Sequence, residues 1–330
     1  MADIPPLVTP EMNDMLQKEY TRVEVDTTLH QMEVLKARGL DGMRPMFFQH
    51  YWQTIMDDVL AAMLSCLNTG SIPPSINKTF ITLIPKVKSP TLVSEYRPIS
   101  LCNILYKLVS KVIANKSEKI LTNLILDSQS AFQLDKAISD SILVAFETLH
   151  HMKIQKAKSS DFMALKLDMS KVYDRVEWSF LKTIMEKMGF GASWVQLVME
   201  CISTVSYLIL VNGEPKGEIK PSRGIRQGDP LSPYLFLLYF EGLNRLIQGA
   251  IREDKIKGSS LCRNGPRISH LFFADDTLIF CRAVMGDFLA LQDILDLYEK
   301  ASSQQINRRK TTIFIAKLFQ WKGKWNYQTF

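Results

Sequence analysis

The stretch FFADDTLIF, residues 272–280, joins two short apolar segments through the acidic pair Asp275 and Asp276. Bulky and β-branched residues on both sides of this pair predict strands over residues 271–274 and 277–281. Aspartate is also common in turns, so the pair alone leaves an ordinary strand connection open.

A third aspartate, Asp168, follows residues 162–167, FMALKL, which predict another strand. Carboxylates where a buried strand ends are costly unless a cation meets them. Two divalent ions about 4 Å apart are one solution, and they suit in-line phosphoryl transfer. Because Mg²⁺ binds a few carboxylates together with water and phosphate oxygens, Asp168, Asp275 and Asp276 are candidate ligands for Mg²⁺ or Mn²⁺.

Further segments occur in a fixed order around these aspartates. FITLIPK (80–86), YRPISL (96–101) and SQSAF (128–132) come first, followed by LDMSKVYDRVEW (167–178), SRGIRQGDPLSPYLFLLYFEGL (222–243) and FFADDTLIF. In this order they resemble the fingers and palm motifs of reverse transcriptases. The combination of YRPISL, RQGDPLSP and FADD resembles the non-LTR (LINE-type) retrotransposon enzymes that are abundant in plant genomes.

The resemblance covers residues 5–315 and implies both a fold and an activity. The fold is α+β: an antiparallel palm sheet backed by helices, with a helical, basic fingers portion before it. The activity is RNA-directed DNA polymerase, which transfers a nucleotide from a dNTP to a primer 3′-hydroxyl with two metal ions. An RNA template, a DNA primer and dNTPs are the implied partners, and no protein partner is evident.

The resemblance also assigns roles to single residues. Asp168 and Asp275 match the principal metal-binding aspartates, and Asp276 matches the adjacent third carboxylate. Tyr173 matches the steric gate that excludes a ribonucleotide 2′-hydroxyl, with a core aromatic as the alternative.

Four more residues match nucleotide-binding positions. Lys86 and Arg97 match the fingers residues that grip the triphosphate, which suits a mobile point charge and a bidentate fork. Gln227 matches a residue beside the nucleotide and template, and Gly228 lets the backbone approach a ligand closely. Without the motif, Arg97 would be interpreted as a surface arginine in a loop.

Charge placement favours a polyanionic partner. The net charge is +6, and residues 77–119 contain eight lysines or arginines and two acids. Lys107 and Lys111 are predicted one turn apart on the polar face of a helix over residues 101–120, where they would contact phosphates. The alternative is a solvated charged face with no ligand.

Composition excludes several classes of protein. Of 330 residues, 46% are hydrophobic and 22% charged, which is typical of a folded chain. The longest apolar run, residues 234–240, is far shorter than the ~20 residues of a membrane span, and no signal peptide is evident. None of the five cysteines forms a CxxC pair, so we expect a reducing compartment and no thiolate zinc site. The resemblance implies an intracellular location, in the nucleus or cytoplasm.

Local signals predict most elements. Residues 11–67 are predicted to be helices broken by a turn, with an apolar stripe of Leu29, Met32, Val34 and Leu35 before it and a four-residue repeat from Phe47 to Leu67 after it. Thr69-Gly70 is predicted to end the last of these helices. Residues 80–85 are predicted as a strand, 86–98 as a loop and 138–152 as a helix. Asn212-Gly213 predicts a type I′ hairpin. Ser170 and Ser232 are predicted to cap helices, the second running to about residue 250.

The motifs divide the chain into three segments: an N-terminal helical segment (1–75), the reverse transcriptase domain (76–315) and a ragged tail (316–330). The chain stops soon after the palm, so we expect a truncated enzyme without its thumb. RGLDG (38–42), AFQLDK (131–136) and Val172 depart from the usual pattern and suggest drift.

Two alternative functions stay open. The first is a catalytically inactive retroelement remnant that at most binds nucleic acid through its basic segments. The second is a two-metal nuclease that uses the same aspartates. Lys86, Arg97 and Tyr173 argue against the nuclease, because a nuclease needs neither a triphosphate grip nor a sugar gate.

Overall fold

The computed structural model describes residues 4–125, 129, 138–154, 162–260, 265–273 and 276–315. The chain forms two compact units. Unit 1 comprises Met1–Ile4, Thr122–Arg175 and Leu237–Phe330, and unit 2 comprises Pro5–Leu121 and Val176–Phe236. The limits expected from motif content, at residues 75 and 315, stay a prediction.

The helices, in chain order, are α1 (Pro10–Gln17), α2 (Arg22–His30), α3 (Pro45–His50), α4 (Trp52–Thr69), α5 (Pro74–Asn77), α6 (Ile104–Leu124), α7 (Ile138–Ile154), α8 (Trp178–Met188), α9 (Ala192–Ser203), α10 (Ser232–Arg252) and α11 (Met285–Ser302). Within the described ranges, none of them is long and apolar enough to cross a membrane.

The strands are β1 (Lys78–Pro85), β2 (Tyr96–Cys102), β3 (Phe162–Leu167), β4 (Ser206–Val211), β5 (Glu214–Ile219), β6 (Ser259–Ser260), β7 (Arg267–Ile268), β8 (His270–Phe273), β9 (Asp276–Arg282) and β10 (Thr312–Ile315). Unit 1 contains a four-stranded sheet in the order β10-β3-β9-β8 and the short pair β6-β7. Unit 2 contains a four-stranded sheet in the order β2-β1-β4-β5.

The sheet of unit 1 is antiparallel throughout. On one face, Phe272 of β8 contacts Phe240 of α10, and Phe240 in turn contacts Tyr298 of α11. On the other face, Phe280 packs with residues of α7. This arrangement of an antiparallel sheet backed by helices confirms the α+β palm that the resemblance implies.

The sheet of unit 2 is mixed, because β1 pairs antiparallel with β2 and parallel with β4. Thr79, Ser100 and Cys102, where β1 begins and β2 ends, are buried. The opposite end of the hairpin is open: Leu83 is 37% exposed and Ile84 49%. One end of this sheet is therefore held in the core, and the other projects into solvent.

Several local predictions are confirmed. The strand over 162–167 has the predicted limits, and the helix predicted over 138–152 is α7. Asn212 and Gly213 have φ values of 52° and 84°, as a type I′ turn requires. Gly70 ends α4 with a φ of 70°.

Other predictions are wrong because they ignored distant partners. Tyr96 to Pro98 pair with β1, so the loop after β1 is shorter than predicted and α6 begins at Ile104 rather than at residue 101. Ser170 caps no helix, because residues 170–175 form turns and α8 begins at Trp178.

Two predicted helical patterns differ from the observed helices in their limits. Val34 and Leu35 lie beyond the end of α2 and are 44% and 61% exposed. The four-residue repeat from Phe47 is interrupted at Tyr51, between α3 and α4.

Candidate active site

The pairing of β3 with β9 places two of the predicted metal ligands opposite each other. Leu167 pairs with Thr277, so the next positions in this antiparallel register are Asp168 and Asp276. Directly paired residues share a face of the sheet, and their Cβ atoms lie about 4.5–5.5 Å apart. Asp275 lies outside the described residues. The register therefore implies that Asp168 and Asp276 are neighbours, although they lie 108 positions apart in the chain, and their role as metal ligands stays a prediction.

This end of the sheet is open to solvent. Lys166, two positions before Asp168, lies on the same face and places its Nζ 3.3 Å from Oδ1 of Asp276. The Lys166 and Asp276 side chains are 52% and 55% exposed. Such a surface pair contributes little to stability, so the Asp276 carboxylate is free to exchange this partner for another cation.

The donor chemistry fits a hard divalent cation. Asp168 and Asp276 supply only carboxylate oxygens, which are the ligands that Mg²⁺ prefers. Over the part of the chain that the structure describes, no group of three histidine, cysteine, aspartate or glutamate side chains converges as a metal site. Asp275 lies outside these residues, so Asp168 and Asp276 are two of the three predicted ligands.

The turn after Asp168 carries Tyr173, and the segment 304–307 holds this turn. Asn307 N donates to the Asp168 carbonyl at 2.7 Å, and Ser170 N donates to the Gln305 carbonyl at 2.8 Å. The buried Gln304 side chain donates to the Val172 carbonyl at 3.1 Å. Tyr173 is half-buried on a turn, not at the start of a helix.

The open tip of the β1-β2 hairpin carries two predicted triphosphate ligands. Arg97 pairs with Ile84, and Lys86 N donates to the Glu95 carbonyl at 2.7 Å, which continues the ladder by one residue. By strand alternation, Lys86 and Arg97 share one face of the hairpin. Both are exposed, and Lys86 Nζ donates to the Ser94 carbonyl at 3.1 Å.

Glu95 orders the loop beside these cations. Its carboxylate accepts hydrogen bonds from the backbone N–H groups of Leu92, at 3.1 Å, and Thr91, at 2.7 Å, and these bonds lower its pKa. The carboxylate is thereby used within its own loop. The structure thus brings Lys86 and Arg97 together as a pair of exposed positive charges.

The loop of Gln227 and Gly228 lies along the outer edge of β2. Ser100 N donates to the Gln227 carbonyl at 2.9 Å. Gly228 has a φ of 108°, and a Cβ at this position would lie 3.2 Å from the Ser100 carbonyl oxygen. Both the backbone conformation and the close approach therefore favour glycine. Gln227 and Gly228 thus lie beside β2, the strand that also carries Arg97.

Sequence reasoning missed the buried charges on either side of Gln227 and Gly228. Arg226 and Asp229 form an ion pair at 3.3 Å, with side chains that are 1% exposed. Their three-residue spacing was an available signal, but spacing alone gives no information on burial.

The assignment of Lys107 to a polar, phosphate-binding face is wrong. Lys107 is 5% exposed, and its Nζ donates to the Ala37 carbonyl at 2.7 Å. Lys116 is buried as well and donates to the Lys18 carbonyl at 2.6 Å. Burial lowers the pKa of both ammonium groups. Part of the positive charge of residues 77–119 is thus structural.

Comparison with known proteins agrees with the motif interpretation. A family model described as reverse transcriptase (RNA-dependent DNA polymerase) matches residues 84–327. The transposon TX1 uncharacterized 149 kDa protein of Xenopus laevis is 27% identical over 307 residues, which are 93% of this chain and 23% of that protein. The retrovirus-related Pol polyprotein from the type-2 retrotransposable element R2DM of Drosophila melanogaster is 25% identical over 288 residues, 87% of this chain and 26% of that protein. The chain thus spans about a quarter of the length of these relatives.

Among solved structures, apo telomerase from Candida tropicalis truncated from its C-terminal domain has a similar fold. The TM-score is 0.51 at 12% sequence identity, over 84% of this chain and 57% of that chain. At this identity the likeness shows the fold alone. Because the family match extends over well more than half of its residues, this chain belongs to the reverse transcriptase (RNA-dependent DNA polymerase) family, as a domain of the LINE-type, non-LTR kind.

Proposed function

We propose that this domain copies an RNA template into DNA by joining dNTPs to the 3′-hydroxyl of a DNA primer. The observation that carries the proposal is the register of β3 with β9, in which Asp168 and Asp276 are the next opposite positions at the open end of an antiparallel sheet. A carboxylate pair of this kind, on a rigid and helix-backed sheet, suits metal-assisted phosphoryl transfer.

In this proposal, Asp168, Asp276 and, by the family resemblance, Asp275 hold Mg²⁺ or Mn²⁺. When bound, the metal supplies alignment and activation of the primer hydroxyl and neutralisation of the leaving pyrophosphate. The contribution of the chain is a fixed set of oxygens. The β3-β9 ladder sets the spacing of Asp168 and Asp276, and the bond from Asn307 N fixes the backbone at Asp168.

Lys86 and Arg97 bind the triphosphate of the incoming nucleotide in this proposal. The guanidinium of Arg97 can donate to two phosphate oxygens at once, and Lys86 adds a second positive charge on the same face of the hairpin. Both are exposed at a hairpin tip, which leaves their donors accessible to a polyanion.

Tyr173 serves as the sugar gate in this proposal. Its ring excludes a 2′-hydroxyl by overlap, which requires that the ring cannot move away. The three hydrogen bonds between residues 304–307 and the segment 168–172 support such a fixed turn. From the resemblance alone, we propose that the protein acts in the nucleus or cytoplasm.

Primer extension on an RNA template with Mg²⁺ or Mn²⁺ tests the proposal. We expect extension by the unmodified chain and its loss, by about 100- to 1000-fold, in Asp168→Asn, since one fixed electrostatic interaction at a developing transition state contributes on this scale. Asp293→Asn, an exposed position on α11, is the matched control and should retain activity.

Two results would reject the proposal. Extension that persists in Asp168→Asn would remove the aspartate from the chemistry. If the unmodified chain extends no primer with either metal but still binds an RNA–DNA hybrid, it is an inactive remnant of a retroelement.

A further inference from the structure

A buried ion pair flanks the two residues of unit 2 that are assigned to nucleotide binding. Arg226 precedes Gln227 and Asp229 follows Gly228, and the Arg226 Nε lies 3.3 Å from Oδ2 of Asp229. A buried pair of charges contributes little net stability over apolar residues of similar volume, because its desolvation cost offsets the attraction. The stability of the fold is therefore a weak reason for the presence of this ion pair. Its ability to fix the geometry of the loop is a specific reason.

Arg226 is held by hydrogen-bond acceptors from α5, β1 and α9 and by an aromatic ring of α6. Its Nη1 donates to Asn77 Oδ1 at 2.7 Å and to Thr79 Oγ1 at 3.3 Å, and its Nη2 donates to the Cys201 carbonyl at 2.6 Å. The guanidinium carbon lies 3.7 Å from the centre of the Tyr106 ring. A planar group with this many fixed partners has one orientation, which lysine could not reproduce.

Each carboxylate oxygen of Asp229 accepts a hydrogen bond. The Tyr106 hydroxyl donates to Oδ2 at 2.8 Å, and Leu231 N donates to Oδ1 at 3.0 Å. Burial raises the pKa of Tyr106 well above its ordinary value, so the phenol keeps its proton and remains a donor. Asp229 is therefore fixed by Arg226, by a tyrosine of α6 and by its own chain.

Between Arg226 and Asp229, the backbone of Gln227 and Gly228 contacts β2 directly. The Gln227 carbonyl accepts the bond from Ser100 N, and Gly228 lies against the Ser100 carbonyl. Both flanking side chains are in the core, yet Gly228 is exposed and Gln227 half-buried. The four residues 226–229 are thus fixed at both ends and at the centre, and the middle two remain accessible.

We propose that Arg226 and Asp229 are positioning residues for nucleotide binding, which hold Gln227 and Gly228 against the edge of β2 in the geometry that a dNTP meets. The inference rests on the proposed function, which makes Gln227 and Gly228 part of the nucleotide site. A preformed surface favours binding because the loop is already ordered when the ligand arrives. Loosening the ion pair should therefore weaken the binding of dNTP and leave the binding of primer–template unchanged.

Steady-state primer extension with Arg226→Lys tests the inference. At saturating primer–template, we expect the KM for dNTP to rise by about 10- to 100-fold, the scale of a misplacement of roughly 1 Å. The primer–template Kd should stay within about twofold of the unmodified protein. Tyr106→Phe removes only the hydroxyl that contacts Asp229 and should raise the same KM by a smaller factor, which covers the case in which Arg226→Lys does not fold.

Arg282→Lys is the matched control. Arg282 pairs with the buried Asp287 at 2.7 Å in unit 1, and neither residue is assigned to nucleotide binding. Its substitution should lower the melting temperature without a change in the KM for dNTP. An unchanged KM in both Arg226→Lys and Tyr106→Phe, with a lower melting temperature, would overturn the inference and make the pair a purely structural one.

Hydrogen exchange separates this inference from the proposed function, because it needs no activity. In Arg226→Lys, we expect faster exchange confined to residues 225–231 and the amide of Ser100. Faster exchange spread through α6 and α9 would instead overturn the inference. If the unmodified protein extends no primer, the proposed function fails, and the exchange pattern still decides whether the pair holds this loop.

Discussion

The two four-stranded sheets of this domain differ in how they are packed and in which charges they carry. The sheet of unit 1 has helices on both faces and carries carboxylates at its open end. The sheet of unit 2 is half-exposed or exposed along the whole of β4 and β5, and it carries cations at an open hairpin tip. Metal ligands must be fixed to a fraction of an ångström, whereas side chains that contact phosphates can adjust.

The largest expected effect tests this difference in packing. Phe280 is fully buried between the sheet of unit 1 and α7, so Phe280→Ala should lower the free energy of unfolding by about 3–5 kcal/mol. Ile84 is 49% exposed at the hairpin tip of unit 2, so Ile84→Ala should change it by less than about 1 kcal/mol. Urea unfolding of both variants measures the contrast, and equal losses would contradict it.

The next effect concerns the buried histidine at the start of β8. His270 Nε2 lies 2.8 Å from Asn244 Oδ1, and burial lowers its pKa from 6.5 to about 4. The unfolded chain thus binds this proton more tightly than the folded protein. The contribution of neutral His270 to the free energy of unfolding is fully present above about pH 6.5. It is lost as the pH falls toward 4, which lowers the free energy of unfolding by about 3 kcal/mol.

Unfolding of His270→Gln at several pH values tests this prediction. The raised pKa of the nearby buried Glu241 acts in the opposite direction, so the difference between the variant and the unmodified protein isolates His270. His50→Gln, at an exposed position, is the control. Identical pH dependence of the unmodified protein and His270→Gln would show that His270 is not buried in its neutral form.

A third prediction tests whether the turn of unit 1 is fixed enough to select a sugar. Tyr173→Ala should raise ribonucleotide incorporation relative to dNTP incorporation by about 10- to 100-fold, because the excluded volume disappears. Competitive primer extension with matched dNTP and NTP measures the ratio, and Phe146→Ala, whose ring is 61% exposed, is the control. Equal rejection of ribonucleotides with alanine at position 173 would make Tyr173 a core aromatic.

The smallest effect separates exposed from buried cations in unit 2. Lys111→Ala should flatten the salt dependence of RNA–DNA hybrid binding by at most about one counterion, because Lys111 is partly exposed on α6. Lys107→Met should leave that slope unchanged and lower stability by about 1 kcal/mol, because the Ala37 carbonyl loses its donor. A flatter slope in Lys107→Met would place this lysine at the ligand after all.

Local chemistry explains the predictions that are confirmed. Gly70 and Asn212-Gly213 adopt positive φ values, which few other residue types favour. The helix end at Gly70 and the turn at Asn212-Gly213 can therefore be predicted from a few residues of sequence. The failed predictions at residues 96–98 and at Ser170 depended on partners elsewhere in the chain. Tyr96 to Pro98 became strand because β1 lies beside them, and Ser170 became part of a turn because Gln305 accepts its N–H.

The sequence by itself determined the family, the order of the motifs and the identity of the candidate ligands Asp168, Asp276, Lys86 and Arg97. Only the tertiary structure decided which charges are accessible. Lys107 and Arg226 resemble Lys86 and Arg97 in a sequence, yet the first two lie in the core and the second two at an open hairpin tip. The reason is that burial depends on segments that meet across long separations, as Tyr106 and Asp229 do, and such contacts leave no periodic signal in the chain.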